Sequence, residues 1–346
     1  MKSGAWPGCR GGRNDGGGWH AQLVADSARD RSARGPGVST LQQLASAGTS
    51  RTQVRRLVKA GRLLAVRRGV YTSAERAAAS AADKRRAHVL QVAAVLASCD
   101  FPAAASHRSA ALIHGLDLIG KNDAETVTVT RAPRSRGSRS LRGGMSIHAA
   151  ELPVRHLVVK DGISLTSVAR TVTDLARTCT FREAVVIADS ALRTGKTTVP
   201  DITAVICDCA RWPGVRRARA VSEFSDHRAE SALESIGRAV FREYRLPAPE
   251  LQVWVGGDLG VVGRADYFWP RYSTIAEADG AIKYADPRQA IRQLHRDARL
   301  RDAGFEVVHF TWQEITLTPW QVAERIRAAF VRGAVRARSE RQRPVR

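Results

Sequence analysis

A multidomain α/β protein of the α+β type is what the sequence predicts, and three observations predict it. The 346 residues are 44% apolar, more than one ordinary hydrophobic core needs, which also excludes a disordered chain. From residue 38 two capping boxes lead into a short alternating hairpin. From about residue 215 the pattern becomes helix, three strands, helix, strand and helix, an α/β core. The expected order is a Gly/Arg-rich leader over 1–37, a winged helix-turn-helix over 38–73, a mixed central domain over 74–200, the α/β core over 215–332 and a basic tail over 333–346.

The leader carries Gly11, Gly12 and the run Gly16–Gly18, with neither a strand before them nor a helix after, so they take no phosphate-cradling role. At Val38 the character changes. Ser39-x-x-Gln42 and Ser50-x-x-Gln53 are capping boxes that each open a short amphipathic helix. Leu41, Leu44 and Ala45 form one apolar stripe, and Val54, Leu57 and Val58 the other. Gly48 and Gly61 stand where helix ends want a left-handed residue. Leu63–Val66 and Val70–Thr72 then flank Arg67-Arg68-Gly69, two short strands around a basic turn.

Charge gives this module its expected partner. The chain has 55 basic and 33 acidic residues, a formal net charge of +22, which favours a polyanion. Seven of the cations are Lys and 48 are Arg, a bias that a GC-rich genome also produces, so the charge needs a place to act. Residues 50–69 supply one, because Arg51, Arg55, Arg56, Lys59, Arg62, Arg67 and Arg68 stand there with no acid among them. Double-stranded DNA is the expected partner: the second helix fits the major groove, and Arg67 and Arg68 reach the backbone or the minor groove. The alternative is a winged helix used for protein contact alone.

The central domain reads as an Ala-rich helix over 74–98, a helix over 106–116 ending at Gly115, a strand over Thr126–Thr130, a basic loop from Arg131 to Arg142, and helices beginning at Leu165 and Phe181. His107 and His114, seven apart, share a helix face but find no third ligand nearby, so packing or hydrogen bonding is their expected role. Cys9, Cys99, Cys179, Cys207 and Cys209 are odd in number and scattered, which argues against a secreted disulfide framework and for a reducing cytoplasm. No stretch approaches the roughly 18 apolar residues of a membrane span. A cytoplasmic protein without a membrane partner or an organic cofactor is expected.

Over residues 38–200 the winged helix, the Ser-His-x-Ser-Ala-Ala segment at 106–111 and the Thr-Ser-x-x-Arg-Thr-x-x-Asp-Leu-Ala segment at 166–176 resemble the AbiEi family of antitoxins. That resemblance implies a DNA-binding transcriptional autoregulator of a type IV toxin–antitoxin system, whose partner toxin is a nucleotidyltransferase. The chain lacks the Gly-Ser followed by paired aspartates that such a transferase needs for Mg²⁺ and nucleotide, so the resemblance is to the antitoxin side.

The C-terminal core opens with a helix expected over Arg228–Tyr244, Glu230 and Glu234 being placed at i and i+4 on one face. Leu251–Val255 and Val261–Phe268 read as a hairpin through Gly256-Gly257-Asp258, and Ser273–Asp279 as a third strand. A helix bearing Arg288, Arg292, Arg296, Arg299 and Arg301 follows, then a strand over Phe305–Phe310 and a helix over Pro319–Arg332. Asp266 falls near the end of the second strand, while Glu277 and Asp279 point to one face of the third. Three converging carboxylates repel without a cation, so Asp266, Glu277 and Asp279 are candidate Mg²⁺ ligands. Catalytic roles would fall to Asp266, Glu277, Lys283, which could activate a water, and Glu234. Arg292, Arg296 and Arg299 would hold the DNA backbone. The opposing reading makes the acids structural partners of nearby arginines.

This order, with Glu-x-Asp-Gly-x-x-Lys at 277–283 and Gly304-Phe-Glu-Val-Val-His-Phe-Thr-Trp312, resembles the restriction-endonuclease-like PD-(D/E)xK superfamily and its very-short-patch-repair branch over about 228–332. The resemblance implies a restriction-endonuclease-like core and Mg²⁺-dependent phosphodiester hydrolysis. Asp279 stands where most members carry the catalytic Lys, which leaves Lys283 as the substitute. Three functions follow: a DNA-binding regulator carrying an endonuclease-like domain, a Mg²⁺-dependent DNA endonuclease targeted by its own winged helix, and a non-catalytic protein-interaction platform.

Overall fold

The computed structural model describes residues 37–120, 126–133, 140–142, 144–257, 260–280 and 287–341. It is a mixed α/β protein with three sheets among the described residues. Two compact units emerge, one of residues 1–179 with 195–223, the other of 180–194 with 224–346.

The first unit begins with β1 (Ser39–Thr40), α1 (Leu41–Ser46), α2 (Arg51–Lys59), β2 (Leu63–Arg67) and β3 (Val70–Ser73), the strands pairing in the order β1-β3-β2. The capping box at Ser50 forms as expected, with Ser50 and Gln53 each accepting from the other's backbone N–H. The first box lies one residue later than expected, at Thr40 and Gln43. Ser39 is committed to the sheet opposite Tyr71, so the helix starts one position on. Gly48, Gly61 and Gly69 all adopt positive φ, the last in the hairpin turn. Val54 and Val70 are buried and Leu57 half-buried, whereas Val58 is 37% exposed and does not carry the packing expected of it.

The single helix expected over 74–98 is two, α3 (Ala74–Ala81) and α4 (Lys84–Ser98). Asp83 divides them, because its carboxylate caps the new helix by accepting from Arg85 N at 2.8 Å. A six-stranded sheet follows, ordered β6-β7-β5-β4-β9-β8, from β4 (Ala104–Ala105), β5 (Val127–Arg131), β6 (Ser140–Arg142), β7 (Met145–Ala149), β8 (Leu157–Lys160) and β9 (Ile163–Thr166). The helix α5 (His107–His114) ends as expected at left-handed Gly115, and with α4 it buries Val92, Val95 and Ile113 against Val129, Ile147 and Leu165. The expected basic loop, Arg131 to Arg142, lies partly in 134–139, outside the described residues, and its end is β6. The helices α6 (Val168–Thr178), α8 (Val199–Asp208) and α9 (Val215–Phe224) complete this unit, while α7 (Phe181–Arg193) falls in the other.

In the second unit α10 (Ala232–Glu243) packs against a sheet ordered β10-β11-β12-β13: β10 (Glu250–Gly257), β11 (Gly260–Trp269), β12 (Thr274–Asp279) and β13 (Glu306–Thr311). The first three are antiparallel and β13 runs parallel to β12, the helix α11 (Pro287–Asp302) making the crossover. The expected helix over 228–244 starts only at Ala232, because Ser231 caps it. Glu230 therefore precedes the helix and pairs with Arg264, so it does not share a helix face with Glu234. A short helix that the pattern did not signal, α12 (Trp312–Leu317), precedes α13 (Pro319–Arg341). The helix runs through Gly333, where the missing Cβ admits the Tyr272 carbonyl, so much of the expected 333–346 tail is helical. Among the described residues no helix is long and apolar enough to cross a membrane.

Candidate nucleic-acid interface and the carboxylate face

Val54, 2% exposed, anchors α2 from below and leaves the opposite side of the helix in solvent. Arg51, Arg55 and Lys59 follow one another at helical spacing of four, with Arg56 alongside, and all four are exposed. Ser50 orients the helix start and Gly61 ends it, so capping fixes the length over which these cations are displayed. At the hairpin, Arg68 is exposed beside Gly69, while Arg67 is the last residue of β2 and half-buried. The turn therefore presents Arg68 more fully than Arg67. Such a surface can neutralise phosphates and place side chains against base edges.

The second unit brings several of the predicted acids near one another. Gln252 sits in β10 at a left-handed φ of 55°, and its side-chain amide donates to Glu234 Oε2 at 2.8 Å and to Asp266 Oδ1 at 3.3 Å. Asp266 Oδ2 also accepts from Ala278 N at 2.8 Å, across the β11–β12 pairing. Glu234 accepts further from Glu230 N and Ser231 Oγ, at 2.7 and 2.9 Å. Burial pushes the Glu234 carboxyl above its ordinary pKa, and the nearby Asp266 charge adds to the rise.

Glu277 and Asp279 meet cationic or titratable partners. Glu277, 2% exposed, has Arg296 Nη2 at 2.9 Å from its Oε1. Asp279 Oδ2 lies 3.0 Å from His309 Nδ1, and the other ring nitrogen of His309 lies 2.8 Å from Asp297 Oδ2. Burial works to lower the pKa of His309, but the two carboxylates outweigh it and the net shift is upward. Among the described residues no group of three or more His, Cys, Asp and Glu side chains is arranged to hold a metal ion. With Arg296 on Glu277, His309 on Asp279 and N–H donors on both Asp266 oxygens, this arrangement does not fit a divalent ion. Lys283 lies outside the described residues. Arg292 and Arg299 are exposed on α11, but Arg296, expected on the DNA backbone, turns inward because a buried carboxylate offers it a stronger partner than water does.

Two partners in this cluster went unread in the sequence. His309 stands opposite Glu277 in the parallel β12–β13 register, a relation visible only once the pairing is known. Gln252 faces Asp266 only because β10 and β11 form the hairpin in that register.

Comparison with known proteins adds two findings. Residues 27–74 match a family model described as transcriptional regulator, AbiEi antitoxin, so the N-terminal part of the chain is similar to that family. Two proteins of Mycobacterium tuberculosis, one from each of two strains and both described only as uncharacterized, are 32% identical over 161 residues. That match covers 46% of this chain and 59% of each relative's length.

Proposed function

We propose that this chain is a DNA-binding transcriptional regulator of the AbiEi antitoxin type. The observation that carries the reading is a coincidence of place: the stretch similar to AbiEi regulators contains the helix, turn, helix and hairpin whose α2 displays Arg51, Arg55, Arg56 and Lys59 to solvent. In this reading those side chains neutralise DNA phosphates while the helix lies in the major groove, and Arg68 at the hairpin turn touches the neighbouring backbone. Its partner toxin would be a nucleotidyltransferase, and its place of action the cytoplasm, where the DNA is. Selection of genomic fragments by the purified chain tests this. An autoregulator should enrich the segment upstream of its own gene, and uniform recovery of all fragments would contradict a regulator.

For the C-terminal unit the reading is an endonuclease-like domain that binds without cutting. The order helix, three antiparallel strands, crossover helix and parallel strand supports the resemblance to PD-(D/E)xK enzymes. The guanidinium on Glu277 and the imidazole on Asp279 support the absence of hydrolysis. The second reading, a Mg²⁺-dependent endonuclease, rests on Asp266 bonding across to β12 beside Glu277 and requires Arg296 to leave that carboxylate. A plasmid-nicking assay with and without Mg²⁺ separates the two: intact supercoiled plasmid is expected, and Mg²⁺-dependent nicking lost in Asp266→Asn would establish the enzyme.

A further inference from the structure

Residues 106–111 and 166–176, the two segments that the DNA-binding surface does not use, meet in the first unit at a cavity of about 360 Å³ lined by His107, His148, Arg170, Asp174, Arg177 and Trp212. Arg170 is 1% exposed. Its Nε donates to Asp174 at 2.8 Å, and its Nη1 donates to the Glu151 carbonyl and lies 3.0 Å from His156 Nδ1. Its Nη2 is buried without a hydrogen-bond partner among the described residues. Leaving such a donor unmet is costly, and more so when it is charged.

The charges around it do not cancel. Asp174, also 1% exposed, is shared between Arg170 and Arg177, whose Nη1 reaches its second oxygen at 3.2 Å. Both guanidiniums stack on Trp212, their carbons 4.6 and 4.8 Å from the ring centroid. His156 bridges from Arg170 to Asp208, which pairs with Arg155. Two guanidiniums, Arg170 and Arg177, thus share the one buried carboxylate, Asp174, while the Arg155–Asp208 pair lies outside the cavity and balances itself, and Glu151 at the cavity wall is an exposed residue. His107 stacks on His148 with ring centroids 3.8 Å apart, and burial holds its pKa down to about 3, so it contributes no compensating or competing charge near neutrality.

We propose that this cavity binds a small molecule through an oxyanion, a carboxylate or a phosphate, which accepts the N–H of Arg170 and offsets the excess charge of Arg170 and Arg177 beside the Trp212 ring. The inference concerns a site separate from the α2 surface and does not depend on the chain being an antitoxin.

Thermal unfolding of the full chain tests it, with inorganic phosphate, acetate and adenosine monophosphate compared with chloride at matched ionic strength. A saturating rise in Tm of about 2–4 °C is expected with phosphate or acetate. Acetate alone would identify a carboxylate, phosphate alone a phosphate, and a larger rise with the nucleotide a phosphate carried on a nucleoside. Ala149→Phe, which fills the cavity and leaves every charge in place, should abolish the rise. Arg170→Lys, which keeps a cation beside Asp174 but loses the planar donor edge, should reduce it and decides the matter if Ala149→Phe does not fold. An equal rise in these variants would place the anion on surface cations, and no rise above chloride in the unaltered chain would overturn the site.

Discussion

Glu277 keeps a carboxylate at 2% exposure while Arg296 reaches it at 2.9 Å from a helix nineteen residues further along. Breaking a buried pair by removing one partner costs about 3–5 kcal/mol, and the 22% exposure of the Arg296 side chain places this case at the lower end. Arg296→Met should therefore destabilise the chain by about 3 kcal/mol, and Glu277→Gln added to it should recover much of the loss. Urea denaturation of the two variants checks this, and an Arg296→Met chain as stable as the parent would remove the pair from the reckoning. Millimolar Mg²⁺ should leave the Tm of the unaltered chain where it is; a rise that Asp266→Asn abolishes would instead make these acids a metal site. The acids themselves were legible in the sequence, because Glu277 and Asp279 alternate in a strand. Their partners were not, since Arg296 and His309 come near only through the α11 crossover and the β12–β13 pairing.

At the scale of elements, local chemistry carried most of the prediction. Capping at Ser50, the turn at Gly69 and the stop at Gly115 are set by side chains within a few residues, and the sequence displayed them. The one-residue shift of the first cap depends on what β1 pairs with, a tertiary choice, whereas the late start of α10 is local, set by the Ser231 hydroxyl three residues before Glu234. Helix-to-sheet packing makes a sharper test. Gly237 lies in α10 over the sheet, where an added Cβ would stand 2.5 Å from Tyr267 Oη and 3.0 Å from Phe310 Cζ. Tyr267 is fully buried and donates its hydroxyl hydrogen to the Glu234 carbonyl at 2.7 Å, so it has little room to yield. Gly237→Ala should destabilise by about 1–3 kcal/mol from overpacking, although alanine is the better helix former by about 1 kcal/mol. A gain in stability on thermal melting would show that α10 can lift from the sheet at little cost.

Across the whole molecule the two units should respond to pH with opposite sign. In the first, burial pushes His107 down to about 3 and lowers His114 and His156 from their ordinary value of 6.5. A depressed folded-state pKa means that stability is complete above about 6.5 and is lost as pH falls toward the folded values, by up to about 1.4 kcal/mol per pH unit for each histidine still neutral in the fold. In the second unit His309 is raised, so its contribution is complete below the unfolded value and fades as pH climbs through the folded one. Calorimetry between about pH 7 and pH 5 should lower the transition of the first unit more than that of the second. Equal shifts would contradict the assignment of neutral buried histidines. The proposed function rests on the exposed cations of α2, and the affinity of the full chain for duplex DNA across about 50–200 mM salt tests that most directly. The unaltered chain should bind with a steep negative salt slope, and Arg55→Ala with Arg56→Ala should weaken binding and flatten the slope by about 2 while Val54 and Leu57 keep the fold. Unchanged affinity and slope in that variant, or no DNA binding by the unaltered chain, would contradict a DNA-reading helix.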